Sequence, residues 1–175
     1  MGVDDIPAVE EIDRVSFPSP MRQGLYQYEL TRNTLAHYQV VTAAAVKGNS
    51  VAGYAGYWTL ADEAHVSSIA VAPQWRRNGL GELLLRNILL LACHQLVDRV
   101  TLEVRLSNEP AQRLYHKLGF EVTGRRKRYY RDTGEDAWIM TLELPTGANS
   151  CRSLQAAGDD LCRRLRPPAA PANWA

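Results

Sequence analysis

The chain has 175 residues, enough for one domain with little left over. Its residues are 46% apolar and 22% charged, a globular composition, and a formal net charge of +1 gives no overall attraction for nucleic acid. The acidic start around Asp4 and Asp5 lacks the basic and apolar regions of a secretion signal, and the most apolar run, residues 83–97, is too short to span a bilayer. A cytoplasmic protein is therefore expected, without membrane or direct nucleic-acid partners, as a monomer or weak dimer. Cys93, Cys151 and Cys162 are odd in number and lack metal-ligand spacing. They read as reduced thiols, and no metal is expected.

A helix is predicted to start near Asp5, where an aspartate in cap position precedes Pro7 in the first turn. It ends before Phe17-Pro18-Ser19-Pro20, and a second helix covers residues 24–33. Two strands follow at 38–47 and 50–60, joined by Gly48-Asn49 as a hairpin turn, then a third at 65–71. Residues 79–97 form a long apolar helix, 100–105 return to strand alternation, and 110–118 form a short helix ended by Gly119. The last strands are 120–122 and 137–144, separated by the basic segment 125–131 and the turn Asp132-Thr133-Gly134. This order makes a mixed α/β domain over residues 1–145. Residues 146–175 are rich in proline and alanine and read as a disordered or loosely docked tail, with a partner-binding helix at 151–165 as the alternative.

Between the third strand and the long helix stands Arg76-Arg77-Asn78-Gly79-Leu80-Gly81. Glycines there let a ligand approach the backbone, and the free N–H groups and positive dipole end of the helix suit a pyrophosphate. A nucleotide P-loop would end in Gly-Lys-Ser/Thr, and a dinucleotide fingerprint needs three spaced glycines. Neither pattern is present, whereas a glycine turn of purely structural purpose fits this segment on its own. Val71, Pro73, Trp75, Arg76, Arg77, Gly79, Leu80, Gly81, Leu84 and Leu85 together resemble the acetyl-CoA motif of the GNAT acetyltransferase superfamily, with Arg76, Gly79 and Gly81 at the defining positions of Q/R-x-x-G-x-G/A. The resemblance implies acetyl-CoA as acetyl donor. It also implies the GNAT fold, a mixed and mostly antiparallel sheet flanked by helices.

Amide formation from a thioester needs a proton acceptor for the amine, stabilisation of the oxyanion and a proton donor for the leaving thiolate. Glu103 lies in strand alternation on one face with Thr101 and Arg105, where it is either a salt-bridged surface carboxylate or a general base. Tyr115, on the short helix, either packs with Leu114 and Leu118 or serves as the acid. Asn108 can cap that helix, bind the cofactor's amide arm, or do both.

The run Leu102-Glu103-Val104-Arg105, with Ser107, Asn108, Ala111, Leu114, Tyr115, Leu118, Gly119 and Phe120, is similar to the RimI-type ribosomal-protein-alanine N-acetyltransferases. That resemblance implies Glu103 as base, Tyr115 as acid and also a cofactor contact, and Asn108 against coenzyme A. Main-chain groups of the strand Ile69-Ala70-Val71 would meet the acetyl and pantetheine arm, and the loop from Arg76 through Arg77, Asn78, Gly79 and Leu80 to Gly81 would hold the pyrophosphate. Ser16-Phe17-Pro18-Ser19-Pro20-Met21 resembles the substrate loop of these enzymes, and Tyr129-Tyr130 with Glu135, Asp136, Ala137 and Met140 resembles their C-terminal signature. Phe17, Pro18, Tyr129 and Tyr130 are thus candidate contacts to a peptide N-terminus, implied to be alanine on a ribosomal protein. An α-amine, with pKa about 7.7–8.0, is also the easier acceptor for one carboxylate than lysine at about 10.4.

Three departures stand out. The family's opening strand is cut short here, Met21 replaces an expected tryptophan, and the tail has no counterpart. A GNAT enzyme for a small amine and a non-catalytic acyl-CoA-binding module are the alternatives.

Overall fold

The computed structural model describes residues 1–22, 24–45, 48–144 and 148–165. A 3-10 turn at Val3–Asp5 leads into α1 (Ile6–Ser16), which carries Pro7 in its first turn and buries Ile6, Val9, Ile12 and Asp13 on one face. Then come α2 (Leu25–Thr31), β1 (Ala36–Ala45), β2 (Gly48–Leu60), β3 (Glu63–Val71), α3 (Leu80–His94), β4 (Arg99–Arg105), α4 (Glu109–Lys117), β5 (Glu121–Tyr130), β6 (Glu135–Glu143) and α5 (Ala148–Arg164). The six strands form one sheet in the order β1-β2-β3-β4-β6-β5, antiparallel except for β3 against β4. Among the described residues no strand precedes α1, and no helix is long and apolar enough to cross a membrane.

Apolar side chains cover both faces of this sheet. On one face Tyr57, Val66, Val100, Leu102, Val104 and Met140 pack against Leu84, Leu85, Ile88, Leu89 and Ala92 of α3 and against Tyr115 and Phe120. On the other, Tyr54, Ala70 and Ala72 pack against Ile6, Val9 and Ile12 of α1 and Tyr26 of α2. Helix α4 ends as predicted at Gly119, whose φ of +92° lies in the left-handed region that favours glycine.

Three local expectations are corrected. Gly48 and Asn49 are not the hairpin turn: they are strand residues opposite Ala45 and Ala44, and residues 46–47 between the strands lie outside the described residues. The basic segment is not a separator but the second half of β5. Arg126 stands opposite Ala137 and Tyr130 opposite Glu135, so residues 127–129 bulge against the single Asp136. Asp136 accepts hydrogen bonds from the Arg128 N–H (2.7 Å) and Arg125 Nε (2.7 Å), which makes so basic a strand tenable.

The third correction concerns the cysteines. Cys93 at the end of α3 and Cys151 near the start of α5 are joined by a disulfide, with Cα atoms 5.8 Å apart, while Cys162 is free and exposed. The two lie 58 residues apart in the chain, so their pairing is a product of helix packing that spacing does not reveal.

The sheet opens where the site lies. The parallel ladder between β3 and β4 runs from Glu63↔Arg99 to Val66↔Leu102 and stops, although β3 continues to Val71 and β4 to Arg105. A register shift between β2 and β3 at Gly56/Tyr57 places Ser67 as the extra residue just where the strands part.

Candidate active site

The diverging ends of β3 and β4 wall a cleft of about 710 Å³. Ile69, Ala70 and Val71 line one side, Glu103, Val104 and Arg105 the other, with Tyr115 and Asn108 from α4, Tyr129 and Tyr130 from β5, and Phe17, Pro18 and Met21 from the segment after α1. Beyond Val66, no β4 residue pairs with β3. A polar main-chain edge in such a wedge suits an extended chain carrying amide groups.

At the mouth of the cleft, α3 begins. Gly79 is its N-cap at φ +79°, and the first helical bond runs from the Leu83 N–H to the Gly79 carbonyl (3.0 Å). The N–H groups of Leu80, Gly81 and Glu82 precede that ladder at the positive end of a 15-residue helix. Of this loop, Gly81 lines the cleft, and a Cβ there would approach no protein atom closer than 3.7 Å. Packing within the protein therefore does not demand glycine at 81, whereas a phosphate seated on the helix end does. Asn78 Nδ2 donates to the Trp75 (3.2 Å) and Arg76 (3.1 Å) carbonyls and fixes the turn. Arg76 has a role its charge did not suggest: Nε donates to the Val71 carbonyl (2.9 Å) and Nη2 to Ser16 Oγ (3.1 Å), tying the loop to β3 and α1. Arg77 is exposed, with φ +62°.

Glu103 faces the cleft between the side chains of His65 and Arg126. Its carboxylate, 6% exposed, lies 3.2 Å from His65 Nε2 and 3.2 Å from an Arg126 guanidinium nitrogen. Burial pushes this carboxyl up. His65, through hydrogen bond and charge, Arg126 and a hydrogen bond from Tyr129 together outweigh burial and hold it below the usual value. The sequence alone marks neither His65 nor Arg126 as a partner of Glu103. His65 arrives through the parallel register that sets it beside Thr101, and Arg126 through the continuation of β5 into the basic segment. The same-face run of Thr101, Glu103 and Arg105 was a signal that β4 needed polar partners across the sheet.

Behind His65 the chain of contacts continues. Its Nδ1 lies 3.1 Å from Thr101 Oγ1, which donates to Glu63 (2.6 Å), and Glu63 pairs with Arg99 at the surface (3.0 Å). With Thr101 donating to Glu63, the His65 ring bridges that surface ion pair to Glu103 in the cleft.

Tyr115 is deeply buried beside Phe120 and lines the cleft, and burial pushes its phenol well above the usual value. Asn108 caps α4, its Oδ1 accepting from the Ala111 N–H (3.3 Å), and also lines the cleft. The Tyr130 hydroxyl donates to the Glu103 carbonyl (3.4 Å), and Arg105 stacks 3.8 Å over its ring. Burial pushes the Tyr130 phenol up to about 12. Asp13 Oδ2 accepts from the Met21 N–H (2.5 Å), Oδ1 accepts from Tyr26 (3.0 Å) and from Tyr54, and this buried network pins the segment that carries Phe17 and Pro18. Glu135 accepts from the Ser107 N–H (2.7 Å) and binds Arg105 (3.3 Å), holding the β4–α4 turn. The sequence-predicted residues thus converge on one cleft, except Arg76, Arg77, Asn78, Gly79 and Leu80, which form the loop at its end.

Residues 6–120 match the family model described as the acetyltransferase (GNAT) family. The chain belongs to the GNAT acetyltransferases. A Bacillus subtilis protein provisionally named a ribosomal protein bS18-alanine N-acetyltransferase is 44% identical over 144 residues, 82% of this chain and 93% of its own. An N-alpha-acetyltransferase of Saccharolobus solfataricus is 34% identical, over 81% and 89% of the two chains. Among solved structures, the ribosomal-protein-S18-alanine N-acetyltransferase of Escherichia coli superposes with a TM-score of 0.74 at 30% identity, covering 85% of this chain and 94% of that one. The GNAT enzyme described here is an acetyl-CoA-dependent N-acetyltransferase.

Proposed function

We propose that this acetyltransferase modifies the α-amino group of an N-terminal alanine, with a small-subunit ribosomal protein of the bS18 type as its substrate, in the cytoplasm. The observation that carries the proposal is that Glu103 and Tyr115 share one cleft with an aromatic wall of Phe17, Tyr129 and Tyr130. A carboxylate kept ionised by His65 and Arg126 accepts the amine proton, directly or through water. A phenol raised by burial stays protonated at neutral pH and can give its proton to the departing sulfur. An α-amine has lost its proton in a useful fraction of molecules near pH 7.5, which a lysine has not. The names of the relatives from Bacillus subtilis and Escherichia coli support the same acceptor.

The test offers purified enzyme an alanine-initiated peptide, the same peptide with a blocked N-terminus and an internal lysine, and a free polyamine. The proposal expects acetylation of the first alone. Turnover of the polyamine at comparable kcat/KM would overturn it in favour of a small-molecule enzyme, and turnover of none would leave an acyl-CoA-binding module.

A further inference from the structure

Helix α5 runs antiparallel along α3. It is joined to the C-terminal end of α3 by Cys93–Cys151, and its far end reaches the start of α3, where Leu165 and Leu161 approach Gly79. The spans 79–93 and 151–165 are equal, so both ends meet after about 21 Å of helix. A Cβ built on Gly79 would stand 2.6 Å from Leu165 Cδ2 and 3.9 Å from Leu161 Cδ1. Leu161 is buried, and Cys151 and Leu154 pack on the core beneath α3. No described residue of α5 lines the cleft. Leu161 and Leu165 therefore press on the phosphate loop at Gly79.

That loop needs support, because two of its residues, Arg77 at φ +62° and Gly79 at φ +79°, hold left-handed backbone, a costly conformation for an arginine that persists only where its surroundings impose it. We infer that Leu161 and Leu165 are positioning residues that hold the phosphate loop in its anion-binding shape, and that the Cys93–Cys151 disulfide makes this support conditional on redox state. Reduction breaks one S–S bond and adds two electrons and two protons, leaving two thiols. The electrons come from two thiols, which become their disulfide, or from a phosphine, which takes its oxygen from one water to become the phosphine oxide while that water supplies the two protons. Freed at one end, α5 holds the loop less firmly and the pyrophosphate binds more weakly. The inference rests on the acetyl-CoA reading and not on the identity of the acceptor.

Calorimetry on the full chain tests it, with acetyl-CoA and S-acetyl-pantetheine as probes, the latter lacking the pyrophosphate. A phosphine serves as reductant because a thiol would attack the thioester. Reduction, Cys151→Ser in the oxidised state and Leu165→Ala should each raise the acetyl-CoA Kd by about five- to tenfold. S-acetyl-pantetheine should bind alike in all forms, and Cys151→Ser should no longer respond to the phosphine. An unchanged acetyl-CoA Kd, tighter binding on reduction, or an equal loss for the short donor would each overturn the inference. Failure of the oxidised wild type to bind acetyl-CoA would overturn the cofactor reading and the inference with it.

Discussion

Glu103→Gln keeps the size of the side chain at the centre of the cleft and its capacity to accept hydrogen bonds, and removes its charge and its ability to take a proton. The carboxylate is almost fully covered and has His65 and Arg126 each at 3.2 Å. Losing one partner of a fully buried pair costs about 3–5 kcal/mol. Here Arg126 is 54% exposed and His65 28% exposed, so both can hydrate when the carboxylate goes, and the stability cost should stay near ~1 kcal/mol, as for exposed pairs. The variant should fold. Loss of a general base should lower kcat by roughly 10²–10³-fold, with little change in the KM of acetyl-CoA. Quantifying acetylated alanine-initiated peptide by mass spectrometry at saturating donor measures this, with circular dichroism to confirm the fold. Wild-type kcat in the folded variant would refute Glu103 as the base. The pH dependence carries a second check. The Glu103 carboxyl lies below its usual value in the fold, so the stability it contributes is complete above the unfolded value of about 4.3 and is lost as pH falls through the lower folded value. Glu103 therefore produces no rate limb between pH 6 and 8, and an acid limb near the substrate amine's pKa of about 7.7–8.0 is expected instead.

His65→Gln retains hydrogen-bonding capacity toward Glu103 and Thr101 but cannot carry a charge, so burial should lift the Glu103 carboxyl and move acid unfolding to higher pH in a fluorescence titration. Tyr115→Phe should lower kcat by about 10²-fold with the peptide KM nearly unchanged, since only the proton donor is lost. An equal fall in kcat for a donor with a more acidic leaving thiol would count against that role. Leu85→Ala, at a position with no exposed surface under the sheet, should cost about 3 kcal/mol in urea unfolding with an unchanged slope.

What the sequence made legible was mostly local. Strand alternation placed Glu103 with Thr101 and Arg105, Asn108 stood where a cap belongs, and the glycines at 79 and 81 marked the opening of α3, all as the structure has them. What stayed hidden depends on pairings between distant segments. His65 gains its meaning from the register that sets it beside Thr101, 36 residues on. Arg126 gains its own because β5 continues through a basic stretch that reads as a separator between strands until Asp136 is seen opposite it. Arg76 matched a phosphate motif by type, yet its hydrogen bonds go to Val71 and Ser16, contacts that no spacing encodes. The cysteines read as thiols because their bridge spans helices that meet only after folding.

The central claim is that this GNAT cleft acetylates the α-amine of an N-terminal alanine on a ribosomal protein. The most direct measurement is the intact mass and N-terminal peptide of the bS18-type protein from ribosomes of cells with and without this enzyme. The N-terminal alanine should be acetylated, lose that acetylation when the enzyme is absent, and regain it with the wild-type chain but not with Glu103→Gln. An N-terminus whose acetylation is the same in both cells would contradict it.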